Sequence, residues 1–197
     1  MTKGRLEAFS DAVIAIIITI MVLDLKMPHG YTLQDLEPLG PVFLAYVLSF
    51  VHLGIYWSNH HNMLHAVKRI TGRALWANLH LLFWLSLVPA TTEWMGESYF
   101  STIPVAIHGV VMLMAAFAYY ILAHRLIAIH GRDSDFAKAF GGDWKGNLST
   151  AAYLVAVPAA FISPLLSLGI FVLVAAMWFI PDKRFEEGFS IASAPET

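Results

Sequence analysis

Long apolar stretches separated by short polar segments dominate this chain. Asp, Glu, Lys and Arg are absent from residues 38–67, 74–92, 98–124 and 146–181. A helix needs about 20 apolar residues to cross about 30 Å of hydrocarbon, so each of the first three stretches predicts one membrane span. The last stretch has Ser163-Pro164 near its middle. It therefore predicts two short helices joined by a tight turn.

A further span is predicted from the N-terminal run 9–25, which is rich in Ile and Val. We interpret it as a retained helix and not as a cleaved signal peptide, because residues 24–28 offer no small-x-small cleavage site and Asp11 opens the apolar region. The predicted fold class is an all-α polytopic membrane protein with six transmembrane helices, present as a single copy without a soluble domain. The spans are expected near residues 6–27, 40–61, 74–93, 103–125, 147–163 and 165–181 of a six-helix unit 1–185, followed by a cytoplasmic tail 186–197.

Composition agrees with a membrane protein. Of the 197 residues, 58% are apolar and 13% are charged, and the mean hydropathy is +0.64. Soluble domains carry about 25% charged residues. A net charge of -2 leaves no basic surface for nucleic acid. The absence of cysteine excludes disulfides, thiol nucleophiles and iron–sulfur clusters.

The basic residues predict the orientation in the membrane. If the N-terminus is inside, every Lys and Arg except Lys26 falls on the cytoplasmic side, as the positive-inside rule requires. Both termini are then cytoplasmic. The same arrangement puts acidic residues on the outer loops, where they either attract cations or simply solvate the loops. These residues are Asp35, Glu37, Glu93 and Glu97.

Polar residues at one depth of the first three helices suggest a buried network. Asp11 lies a turn or more inside the first helix and follows Ser10. A carboxylate at this depth either caps the helix or pairs with neighbouring helices. Candidate partners at the same depth are Trp57, His60 and His61 of the second helix and Asn78 of the third. Such hydrogen bonds would lock the first helix against the other two.

A second feature of the first helix is an apolar stripe. Ile16, Thr19, Ile20 and Leu23 follow the i, i+3, i+4, i+7 spacing and share one face. Asp11 points roughly 140° away from Ile16 around a helix of 3.6 residues per turn. Periodicity alone leaves lipid contact, packing and a water-filled path open for this face.

These residues resemble the signature of the transmembrane protein 175 family of potassium-permeable channels. The resemblance rests on Arg5-x-x-x-Phe9-Ser10-Asp11 with Thr19 in an Ala/Ile-rich helix, on Tyr56-Trp57-x-x-His60-His61, and on Trp76-x-Asn78-Leu79 with Ser86-Leu87-x-Pro89. It covers residues 5 to about 92. One departure is Asn62, where related sequences often carry a basic residue.

The resemblance implies a bacterial potassium channel of the cell (inner) membrane, in which four chains surround a pore lined by the first helices. Ile16, Ile20 and Leu23 would form stacked constrictions, with Ile16 the narrowest and Thr19 adding a hydroxyl. Arg5, Phe9, Ser10 and Asp11 would belong to the network with the second and third helices. The partners would be potassium ions, lipid and three further copies of the chain, and the only ligand would be the permeant ion, with no cofactor and no metal site.

Physical reasoning supports weak selectivity for potassium over sodium. The chain contains no Thr-Val-Gly-Tyr-Gly loop that would supply a filter of backbone carbonyls. A continuous helix keeps its carbonyls in its own hydrogen bonds, so only side chains meet the ion. Rings of Ile and Leu offer no ligands, and potassium gives up its hydration water more easily than sodium.

Two other functions remain open from the sequence. One is a haem-bearing electron carrier with axial ligands among the mid-span histidines. These are His52, His80, His108 and His124. The other is a proton-coupled carrier that uses Asp11 with His60 or His61. We expect no enzyme activity, because no set of nucleophile, base and acid is present and the pair His61 and His65 lacks a third zinc ligand.

Overall fold

A computed structural model describes residues 2–131, 134, 136–137 and 143–179. Within these residues the chain is helical and has no strand. The α-helices are α1 (Lys3–Ile20), α2 (Gly40–Ala66), α3 (Gly72–Ser86), α4 (Val88–Glu97), α5 (Thr102–His130), α6 (Trp144–Ile162) and α7 (Pro164–Phe179). The expected tail 186–197 lies outside the described residues.

The predicted all-α membrane fold is confirmed. Four helical segments are long and apolar enough to cross a membrane, namely Lys3–Asp24, Leu33–Ala66, Gly72–Glu97 and Thr102–His130. Two further helices, α6 and α7, have 19 and 16 residues and lie where the sequence predicts the last two spans. They meet at Ser163, whose extended backbone (φ -159°, ψ 123°) ends α6 one residue before Pro164 opens α7. Proline therefore produces the break that the sequence predicts.

Successive spans run in opposite directions. We call one end of the bundle the amino end: α1, α3 and α6 begin there, and α2, α5 and α7 end there. Two contacts tie this end together: Lys3 Nζ donates to the carbonyl of His65 at 2.6 Å, and the Lys68 backbone N–H donates to His130 Nε2 at 3.0 Å. The opposite end is called the far end.

The third span is bent. Helix α3 ends at Ser86, Leu87 forms the joint, and Pro89 lies in the first turn of α4. Helix α4 continues to Glu97, so Glu93 and Glu97 lie on a helix and not on the loop that the sequence suggested. Their charges are matched at the far end by one cation.

That cation is Lys26. Its Nζ lies 2.9 Å from Glu97 Oε1 and 3.4 Å from Glu93 Oε1. The hydrogen bond to Glu97 and the attraction of the carboxylates raise the pKa of Lys26 above its usual value. The acidic residues of α4 are therefore engaged in fastening the segment after α1.

The first span changes geometry before it ends. The α-helix stops at Ile20 and a 3-10 turn follows over Met21–Asp24. Residues three apart eclipse one another in a 3-10 helix, so Leu23 stays on the side of Ile20. A second 3-10 helix, Leu33–Leu39, precedes α2 and begins with a capping box in which Thr32 and Asp35 satisfy each other's backbone N–H.

Small residues let α5 pack in the middle of the bundle. Ala106, Ala115 and Ala118 are buried on this helix, which packs against α3, α4, α6 and α7. A Cβ on Gly109 would lie 3.2 Å from Val157 and 3.3 Å from Phe171. Close approach at these positions holds the outer helices in place around α5.

Candidate functional site: the two faces of the first helix

The inner face of α1 is fastened by a chain of hydrogen bonds across three helices. His60 Nε2–H of α2 donates to Asn78 Oδ1 of α3 at 2.7 Å. Asn78 Nδ2 donates to Ser10 Oγ of α1 at 2.9 Å, and Ser10 Oγ–H donates to the carbonyl of Leu6 at 2.8 Å. Ser10, His60 and Asn78 each have 0% of their surface exposed. The three residues of this hydrogen-bonded chain are therefore shielded from solvent.

The direction of donation follows from the groups present. An amide oxygen can only accept, so the proton of His60 that faces Asn78 is on Nε2 and Nδ1 carries the lone pair. His60 Nδ1 is buried and makes no hydrogen bond to the described residues. Asn78 uses both ends of its amide, one toward α1 and one toward α2. It is the residue that links the three helices.

A second cluster of polar side chains links α1 to α2 near the amino end. His61 Nδ1 lies 3.4 Å from Asp11 Oδ2 and 4.0 Å from Glu7 Oε1. His65 Nδ1 lies 3.9 Å from Glu7 Oε1. The ring of Trp57 stacks on His61 at a centroid distance of 5.9 Å. Carboxylates of α1 therefore face imidazoles of α2.

The predicted network is thus divided into two sets. Ser10, His60 and Asn78 form one, and Asp11, His61 and Trp57 form the other. Arg5 is exposed and makes no hydrogen bond or ion pair to the described part of the chain. Phe9 is also exposed and lies outside both sets.

The opposite face of α1 is open. Ile16, Ile20 and Leu23 expose 56%, 43% and 76% of their surface, and Thr19 is exposed beside them. On the inner side, Ile14, Ile17 and Met21 are buried in the core. Ala8, Ala12 and Ala15 share the open face. Small residues on an exposed helix face permit close approach of another helix.

Thr19 presents an oxygen and not a hydrogen to the open face. Its hydroxyl donates back to the carbonyls of Ala15 and Ile16, at 3.0 Å each. Because the proton is used within the helix, the lone pairs of Oγ1 remain for an outside donor or cation. Among the predicted stripe residues, it is the one able to ligate an ion.

The mid-span histidines each engage a neighbour. His52 Nδ1–H donates to the carbonyl of Leu48 at 2.9 Å, and Trp84 Nε1–H donates to His80 Nε2 at 2.9 Å. His108 Nδ1 lies 3.0 Å from the Thr91 hydroxyl. His124 Nδ1–H donates to the carbonyl of Tyr120. Across the described ranges, no three His, Asp or Glu residues are placed to hold a metal ion.

Sequence reasoning did not identify two polar contacts deeper in the bundle. The hydroxyls of Thr92 and Ser49 are hydrogen-bonded at 2.7 Å, which joins α4 to α2. Thr91 and His108 join α4 to α5. The signal was available, since a hydroxyl or imidazole within a span seeks an internal partner. The bend at Leu87 determines which residues become partners, and the position of this bend was not predicted from the sequence.

Comparisons with known proteins identify the family. The model of the family "Endosomal/lysosomal potassium channel TMEM175" matches residues 5–89. A potassium channel of Chryseobacterium sp. (strain P1-3) is 50% identical over 187 residues, which cover 95% of this chain and 97% of the relative. A potassium channel of Chamaesiphon minutus is 30% identical over 182 residues, 85% of this chain and 88% of the relative.

A solved structure shows the same fold. The crystal structure of a lysosomal potassium-selective channel TMEM175 homolog from Chamaesiphon minutus superposes with a TM-score of 0.73 at 28% identity, covering 90% of this chain and 96% of that one. The human endosomal/lysosomal proton channel TMEM175 is 36% identical over 96 residues, which cover 42% of this chain and 19% of the human protein. The chain therefore belongs to the TMEM175 family of membrane channels.

Proposed function

We propose that this chain is a potassium channel that conducts passively through a central pore, lined by α1 from each of four copies. The observation that carries the proposal is the division of α1 into two faces. Buried hydrogen bonds fix its inner face to α2 and α3, while Ile16, Thr19, Ile20 and Leu23 are left outward. A helix held in this way keeps its open stripe in a fixed orientation. Such a stripe can line a pore on an axis shared by four copies of the chain.

The names of the bacterial relatives support potassium as the permeant ion. The bacterial relatives that cover most of this chain are named potassium channels. The animal relatives, which match about two fifths of this chain, are named proton channels. We propose potassium as the principal ion and include protons in the test.

The stripe explains how weak selectivity would arise. Rings of Ile16, Ile20 and Leu23 contain no charge and no ligand, so an ion must strip or distort its hydration shell to pass. This costs less for potassium than for sodium. A ring of four Thr19 oxygens would supply partial replacement of the lost water, because each hydroxyl proton is already used within its helix. An apolar ring can also close by dewetting.

We propose a bacterial cell membrane as the location, with both termini in the cytoplasm. The amino end carries Lys3, Arg5, Lys68, Arg69 and Arg73, while the far end carries Lys26. The positive-inside rule then puts the amino end in the cytoplasm.

The first experiment is ion flux from liposomes loaded with potassium, sodium or a pH-sensitive dye. We expect potassium efflux in the reconstituted protein to exceed sodium efflux. Proton flux without potassium flux would contradict the proposed ion. Protein-free liposomes set the background.

The second experiment tests the constriction with Ile16→Asn. A polar ring holds water, so we expect increased conductance and a potassium-to-sodium permeability ratio closer to one in bilayer recordings. Val172→Asn, at an exposed position of α7, is the matched control and should leave the ratio unchanged. Unchanged reversal potentials in Ile16→Asn would exclude Ile16 as the selective constriction.

A further inference from the structure

A cavity of about 280 Å³ lies between α2, α5, α6 and α7 at the amino-end half of the bundle. None of the described residues that line it belongs to α1, so it is separate from the proposed pore. Ligand pockets for drug-sized molecules span about 300–1,000 Å³. This cavity therefore suits a ligand smaller than a typical drug.

Small residues on two helices create the space. Ala116 and Ala123 lie two turns apart on α5, and Gly146 lies in the first turn of α6. All three line the cavity, and the two alanines contribute only a methyl group each to the α5 wall. Apart from Asp143, which is the N-cap residue of α6, the described lining residues belong to helices.

Aromatic side chains that are held by their neighbours form the walls of the cavity. Tyr56 and Tyr119 meet edge to face with ring centroids 6.3 Å apart. Tyr153 packs against Phe171 at 6.0 Å. Trp178 Nε1–H donates to Ser149 Oγ at 3.0 Å, which fixes the indole. Because these rings are already held in place, an occupant can contact their π faces and edges without a further loss of side-chain entropy.

The polar groups of the lining are mostly acceptors. His52 is 2% exposed, and because its Nδ1–H donates to Leu48, its Nε2 is a lone-pair acceptor without a hydrogen bond to the described residues. Asn59 Nδ2 donates to the carbonyl of Ile55, which leaves its Oδ1 as a second acceptor. The hydroxyls of Tyr56 and Tyr153 can donate or accept. An occupant with N–H groups matches this set.

The described part of the lining contains one carboxylate. It belongs to Asp143, whose Oδ1 accepts from the Gly146 N–H at 3.0 Å. The ammonium of Lys145 lies over the Trp178 ring at 5.6 Å, but Lys145 does not line the cavity. It shows that the indole already attracts a cation on one face. Aromatic walls, acceptors and one carboxylate together are the features that bind organic ammonium ions.

We propose that this cavity is a binding site for a small organic ammonium ion. The ammonium group lies toward Asp143 and the tyrosine rings, and the organic part fills the space beside Ala116. Two sources carry this chemistry: a free primary amine, or the ethanolamine headgroup of a phospholipid. The site goes beyond ion conduction, because it lies on helices other than the proposed pore helix.

The test measures binding of phenethylammonium to the full-length protein in lipid nanodiscs by isothermal titration calorimetry. The uncharged 2-phenylethanol, of nearly the same shape, should bind at least tenfold more weakly. Asp143→Asn keeps the helix cap, since Asn caps as well as Asp. It should weaken phenethylammonium about tenfold and leave 2-phenylethanol unchanged. Asp35→Asn, at the far end, is the matched charge control.

A second variant removes the space and not the charge. Ala116→Leu should abolish binding of both probes, and circular dichroism should show that the helices remain. Equal affinity for the two probes, an unaffected Asp143→Asn, or no binding at all would overturn the proposal. Nanodiscs with phosphatidylethanolamine are compared with nanodiscs of phosphatidylglycerol alone. A severalfold weaker apparent affinity with phosphatidylethanolamine assigns the headgroup as the resident ligand, and equal affinity assigns a free amine.

Discussion

Substitution of Asn78 should weaken the attachment of α1 to α2 and α3, because Asn78 links these three helices. In Asn78→Leu the side chain keeps about the same size but loses both of its hydrogen bonds, one to Ser10 and one to His60. Ser10 still donates to Leu6, so its hydroxyl proton stays satisfied. The His60 Nε2–H is left without a partner at a fully buried position. The substitution therefore leaves one orphaned donor in the core.

The expected magnitude follows from these two losses. An inter-helix hydrogen bond in a membrane protein contributes about 0.6 kcal/mol on average and up to about 1.7 kcal/mol. A buried donor without a partner costs about 1–3 kcal/mol. We expect the free energy of unfolding of Asn78→Leu to fall by about 2–4 kcal/mol.

Unfolding of the detergent-solubilised protein with sodium dodecyl sulfate, followed by circular dichroism, measures this change. Asn62→Leu is the matched control, because Asn62 of α2 makes no hydrogen bond to the described residues. Its effect should be within about 0.5 kcal/mol, as for substitutions away from key contacts. Ser10→Ala combined with Asn78→Leu should cost less than the sum of the single changes, because the two residues share one bond. Full additivity, or equal effects of Asn78→Leu and Asn62→Leu, would refute the reasoning.

Two further predictions concern packing and charge. A Cβ on Gly96 would lie 2.6 Å from the backbone Cα of Val42, so Gly96→Ala should destabilise the protein by about 1–3 kcal/mol through overpacking. Gly54→Ala, which meets nothing within 4 Å, should be neutral or stabilising in the same unfolding assay, and a loss as large as that of Gly96→Ala would contradict the account. The Lys26 interaction should depend on pH. Since ion pairing with Glu97 raises the pKa of Lys26, its stabilisation is present below the usual lysine pKa of about 10.4 and is lost above the raised value. The small difference in melting temperature between the protein and Lys26→Met should therefore disappear at strongly alkaline pH, and a difference that grows with pH would contradict the assignment.

The spans could be predicted from the sequence because hydrocarbon imposes a strong rule on composition. The break at Ser163-Pro164 was predictable for a similarly local reason, since proline cannot continue the preceding helix. The extension of α4 to Glu97 was not, because acidic residues usually mark the end of a span. Here Lys26, distant in sequence, pairs with them. Such long-range pairing has no signature in the local pattern.

The candidate site was predictable in part. Depth alone grouped Ser10 with His60 and Asn78, and the structure joins these three by hydrogen bonds. The same reasoning did not separate Asp11 from them, because residues adjacent in sequence point about 100° apart on a helix. The cavity beside Ala116 was not predictable, since a void depends on small residues that face one another across helices.

The central claim is that the open face of α1 lines a water-filled path. The chain has no cysteine, so a single Ile16→Cys substitution gives one reactive thiol. Potassium flux is measured before and after a membrane-impermeant cationic thiol reagent, with Leu173→Cys on exposed α7 as the control. We expect modification of Ile16→Cys to reduce flux severalfold and modification of Leu173→Cys to leave it unchanged. An Ile16→Cys thiol that stays unmodified, or that is modified without loss of flux, would contradict the account.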